Sequence, residues 1–166
     1  MSRCFVLFFI TCIVLLPALA FSMGSPVLPM NATAAFLGEV SDWERVTIYM
    51  DDAHPLWGGR RLQLKGTGAV HLEVQKGVTK TDFMRAGEYN FKLSTAEVRG
   101  LLEAFIENDF VTIKTPERAG VMDEVRPNIS LTNAKGENVT VAKWINDPVP
   151  RFDNLYSKLL ALQDRQ

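Results

Sequence analysis

Only two histidines occur in the 166 residues, His54 and His71, and one of them sits among acids. Asp51, Asp52 and His54 form a D-D-x-H run. Two carboxylates and an imidazole are groups that hold a divalent metal or relay a proton. A hydrolytic metal centre needs more ligands to converge, and His71 and Glu73 on a neighbouring stretch are the nearest supply. The run lacks the ligand spacings that make a metal motif specific. Turn chemistry accounts for the same residues, because Asp side chains bond their own backbone and Pro55 follows at once. The run reads first as a solvated turn and second as the loop of a metal-dependent hydrolase.

Other reactive frames are missing. The sequence has no G-x-S-x-G elbow for an activated serine. Ser94 is engaged as a helix cap, while Ser130 and Ser157 fall in a strand and a helix. Cys4 and Cys12 are the only cysteines, both inside the first apolar run. Gly58-Gly59 before Arg60-Arg61 has the composition of an anion site, yet lacks the phosphate-loop frame and a following helix. The sequence therefore predicts no catalytic residue, no metal and no cofactor. Its candidate surface contacts are Asp51, Asp52, His54, Trp57, Asp123 and Glu124. Trp43 and Trp144 read as partly buried core.

Composition excludes several classes. The chain is 47% apolar, 22% charged and carries a net charge of −1, which is globular and gives no electrostatic case for nucleic acid. The front of the chain gives an address. Met1-Ser2-Arg3 is a short positive region, Cys4 to Leu16 is apolar, Pro17 breaks it, and Ala18-Leu19-Ala20 offers small residues for cleavage. That order marks a secretory signal peptide over 1–20. The rival is an uncleaved membrane anchor, since apolar residues continue to Phe21. Cleavage predicts a periplasmic or extracellular protein, free of the membrane and of disulfides, whose partner is a protein or small ligand. Three sequons, at Asn31, Asn128 and Asn138, bear on it only if the source glycosylates exported chains.

The elements follow from periodicity. Residues 21–42 mix Pro, Gly, Ser and Ala without a period and read as a tether or a loosely packed lead-in that ends in a short ordered piece near Trp43, with 43–166 as one domain. Val46, Ile48 and Met50 alternate with polar residues, as do Leu62 and Leu64, then Val70, Leu72 and Val74, then Tyr89, Phe91 and Leu93: strands in antiparallel hairpins. His71 and Glu73 fall on the outward face. Ser94-Thr95-Ala96-Glu97 is a capping box, and Val98, Leu101, Leu102, Phe105 and Ile106 make one apolar helix face, predicting a helix over 95–107. Asn108 is expected to end it in the left-handed conformation. Phe110, Val111 and Ile113 suggest a short extended piece, and 114–127 a polar loop. Residues 128–144 read as a second hairpin around Asn133-Ala134-Lys135-Gly136. A proline-started helix follows, with Phe152, Leu155, Leu159 and Leu162 on its apolar face. The fold class is α+β: an antiparallel sheet of about five to seven strands with two amphipathic helices on one face.

From the capped helix onward the sequence resembles a layout found in small exported domains, and that of emfourin-like inhibitors of thermolysin-like metalloproteases. Leu93-Ser94 with Glu97 opens the helix, Phe110 ends it, Asp123 precedes a hairpin, and a proline starts the last helix. The resemblance implies the same fold and, as a second functional expectation, protease inhibition. In that family a glycine pair follows the first strand directly, whereas Gly58-Gly59 here follows a loop from Asp51 to Trp57. No binding residue is carried over. The leading expectation is a non-enzymatic binding domain.

Overall fold

Period-two alternation builds six strands: β1 Thr47–Asp51, β2 Gly58–Lys65, β3 Ala69–Lys76, β4 Gly87–Lys92, β5 Asn128–Thr132 and β6 Asn138–Ala142. The computed structural model describes residues 31–78, 85–120 and 124–165. The signal peptide expected over 1–20, the first part of the tether and Asp123 lie outside the described residues. Neighbouring strands pair antiparallel in the order β4-β3-β2-β1-β5-β6. Ile48, Met50, Leu62, Leu64, Leu72, Ile129 and Leu131 are buried on one face. Tyr49, Arg61, His71, Ser130 and Thr140 occupy the other, as side-chain alternation requires. One apolar face needs one cover, and the helices supply it.

Two of those helices are the expected ones. Helix α2, Thr95–Glu107, begins with the Ser94–Glu97 capping box, and helix α3, Pro150–Leu160, begins on its proline; the short α1, Ala32–Leu37, precedes both. Val98, Leu102 and Phe105 of α2 and Phe152, Leu155 and Leu159 of α3 join the sheet residues in one core. Leu101 and Ile106 only border it. The fold is thus the expected α+β sheet with helices on one face.

The second hairpin also forms, closed by the Gly136 amide bonding the Asn133 carbonyl at 3.0 Å. Asn128 and Asn138 both fall on its outward side, half-buried in β5 and exposed in β6 respectively.

Three local expectations are corrected. Over 31–42 the chain is a packed lead-in rather than a tether: α1 and a 3-10 turn at Val40–Arg45, the ordered piece expected near Trp43, pack on the domain, with Leu37 and Thr33 buried. Asn31 holds this lead-in, its Oδ1 accepting from the amides of Thr33 and Ala34 and its Nδ2 donating to the Ile106 carbonyl at 2.7 Å. The left-handed residue after α2 is Asp109 (φ 41°), not Asn108. Asp109 is held there because its carboxylate accepts from the Thr33 amide and hydroxyl and from the Thr112 hydroxyl. Residues Phe110–Thr112 then form a 3-10 turn rather than an extended piece. Thr33 bonds the Val111 amide and Phe110 packs edge-on against Phe105, so long-range contacts decide that conformation.

Candidate functional site

The β1–β2 ladder does not stop where the strands do. The Asp52 amide donates to the Arg60 carbonyl at 2.9 Å, and His54 and Gly58 exchange both main-chain hydrogen bonds at 2.8 Å. Only Pro55, Leu56 and Trp57 are left to close the hairpin, with Gly58 in the left-handed region (φ 73°). Gly59 follows at φ 138°, and a Cβ there would stand 2.4 Å from the Asp52 carbonyl oxygen. The glycine pair is therefore a requirement of the hairpin. Gly58-Gly59 thus carries the turn into β2.

Side chains fix the same turn. Asp51 accepts from the Ala53 amide at 2.9 Å and from Arg61 Nε at 3.2 Å. Asp52, on the opposite face and only 7% exposed, accepts from the Arg60 amide, from Arg60 Nη1 at 3.3 Å and from the Tyr156 hydroxyl at 2.6 Å. Burial, and after it the Asp52 negative charge, pushes the Tyr156 phenol well above its usual range, so it stays a neutral donor. His54 Nδ1 accepts from the Leu56 amide at 3.2 Å. Gly77 at the end of β3 backs the loop, since a Cβ on it would lie 2.3 Å from the Trp57 carbonyl carbon.

The outcome is a braced turn with an apolar tip. Leu56 and Trp57 are each 38% exposed and Val78, next to Gly77, is 83% exposed. Three of the five exposed large hydrophobics among the described residues thus share one corner of the domain. Trp57 is the contact candidate that the structure brings to the surface. Val78 follows β3 directly, and no local pattern in the sequence sets it beside Trp57.

The groups of the hydrolase reading do not converge. Consecutive strand residues face opposite ways, so Asp51 and Asp52 are split by the sheet. Asp51 shares Arg61 with Glu73, whose carboxylate lies 3.5 Å from Arg61 Nη1 on the outer face. Burial, then the charge of Asp51, raises the pKa of Tyr49 beside them. His71 pairs with Asn90 at 3.0 Å on that face, and His54 is engaged inside the loop.

Asp52 and Glu124, expected at the surface, are corrected to interior positions. Glu124 accepts from Arg118 Nη2 at 2.7 Å and from Asn146 Nδ2 at 3.2 Å, with a side chain only 4% exposed. Arg118 also meets Asp147 at 2.9 Å, and these two acids raise its already high pKa. Arg118 and Arg126 stand over the Trp144 ring, 5.5 and 5.2 Å from its centroid. That assembly ties Arg118, Glu124 and Arg126 to Trp144, Asn146 and Asp147 after β6. The sequence had no signal for it beyond the residue types.

Compared with protein-family models and with curated proteins, the chain matches none. Its function must be argued from the corner itself.

Proposed function

We propose that this is an exported, non-enzymatic binding domain that engages a protein partner through the Pro55-Leu56-Trp57 turn. The observation that carries the reading is an apolar tip braced by the hydrogen bonds of Asp51, Asp52 and His54. A contact loop that is already ordered loses little conformational entropy on binding. Aromatic side chains on such a loop are the residues that most often dominate interface energies. Exposed apolar clusters rimmed by polar groups also mark interaction surfaces more often than random surface does. Export rests on the order of charged, apolar and small residues over 1–20.

Immobilised domain incubated with the native exported fraction tests this. A specific partner should be retained by the natural sequence and at least tenfold less by Leu56→Ser/Trp57→Ser at an unchanged melting temperature. Equal retention by both would reject the turn as the contact.

A second reading, inhibition of a thermolysin-like metalloprotease, is favoured by one feature of the same corner. A braced convex loop with an exposed leucine has the shape that enters a protease cleft. Dose-dependent inhibition, lost in Leu56→Ala, would establish it; no inhibition at a large molar excess would dismiss it.

A further inference from the structure

We propose that the chain self-associates through β6, which pairs antiparallel with β6 of a second copy about a two-fold axis at Thr140. The sheet has two outer strands, and they are built differently. β4 carries Glu88 and Lys92, charges of the kind that blunt an edge against pairing. β6 reads Asn-Val-Thr-Val-Ala, without a charge or a proline and rich in β-branched residues.

The ladder defines which backbone groups β6 offers. The Asn133 amide bonds the Glu137 carbonyl at 3.0 Å, and the Lys143 amide bonds the Pro127 carbonyl at 3.1 Å. Between these points the register pairs Val139 with Leu131 and Val141 with Ile129. Hydrogen-bonded and non-bonded pairs alternate in an antiparallel ladder, so Val139 and Val141 spend their amides and carbonyls on β5. Asn138, Thr140 and Ala142 therefore aim theirs outward.

Three outward residues centred on Thr140 suit a two-fold operator, which makes both halves of an interface identical. Thr140 meets Thr140 of the second copy, and Asn138 meets Ala142, each pair exchanging two main-chain bonds. The side chains match on both faces. On the outer face exposed threonines meet, a favourable cross-strand pair. On the core face the partly buried Val139 meets Val141. At the flanks Glu137 comes opposite Lys143, whose ammonium is buried against Asp153 at 2.8 Å, so no charge meets its like.

Sedimentation of the protein from micromolar to millimolar concentration, with amide hydrogen exchange at the dimer end, tests the pairing. The expected result is a concentration-dependent doubling of mass, with slowed exchange at Asn138, Thr140 and Ala142. Thr140→Lys, at an exposed position, places two ammonium groups on the axis and should weaken association at least tenfold with the melting temperature unchanged. Asn138→Lys repeats the test if that variant folds poorly. A monomer at all concentrations would overturn the proposal, and so would a dimer that either folded lysine variant leaves intact.

Discussion

The hydroxyl of Tyr156 on α3 donates to the carboxylate of Asp52 at 2.6 Å, joining the last helix to the base of the Leu56-Trp57 turn across 104 residues of sequence. Asp52 thereby links three things at once: the helix, the Arg60 guanidinium and the Arg60 amide. The tip is held from beneath by the core as well as by the bonds of its own short loop.

Tyr156→Phe leaves the ring in place and removes one donor from a buried carboxylate. Such a loss costs about 1–3 kcal/mol. Chemical denaturation should show that loss, and exchange of the His54 and Gly58 amides should accelerate more than exchange at β5. Uniform acceleration everywhere would mean that the hydroxyl supports the fold without bracing the turn.

Two glycines should respond in opposite directions. Gly59→Ala forces a Cβ into the Asp52 carbonyl and a side chain onto φ 138°, so it should destabilise by more than about 1 kcal/mol. Gly100, inside α2, has open space where a Cβ would go. Gly100→Ala should therefore stabilise by up to about 1 kcal/mol through helix propensity. Thermal melts of the two variants check both signs.

Phe105 is fully buried between α2 and the sheet, whereas Leu101 lines the surface groove between α2 and α3. Phe105→Ala should cost about 3–5 kcal/mol, the range for a core aromatic. Leu101→Ala should cost well under half of that, since little cavity is created. Equal costs would mean that the groove closes over Leu101 in solution.

Asp109 supplies a pH dependence. Burial alone would raise its pKa, but hydrogen bonds from Thr112 and Thr33 and the charge of Arg151 outweigh it and hold the carboxyl below its ordinary value. A folded pKa below the unfolded one gives stability that is complete above about pH 4, the ordinary Asp value, and lost as pH falls through the folded value. Melts from pH 7 to pH 2 should show a steeper acid loss for the natural sequence than for Asp109→Asn. Parallel curves would contradict the bonding at the end of α2.

What was legible in the sequence was whatever short-range pattern dictates. The 95–107 helix could be read from Ser94, Glu97 and one apolar stripe, and the strands from alternation at Ile48, Leu62, Leu72 and Ile129. The misreadings lie where distant partners decide. Asn31 and Thr33 look like linker until Ile106 and Asp109 are placed against them. Asp51 and Asp52 look like a cluster until the pleat sends them to opposite faces. Glu124 looks like surface until Arg118 and Asn146 enclose it. Trp57 was visible as a residue type, but its bracing by Gly77 and Tyr156 was not, because nothing near it in sequence encodes either contact.

The central claim is that the domain binds through the Leu56-Trp57 corner, and an amide-exchange footprint of the domain with its captured partner tests it most directly. Protection should concentrate at residues 54–58 and 77–78, with the amides of α2 and α3 unchanged. Protection elsewhere on the domain with the 54–58 amides unaffected would contradict the account.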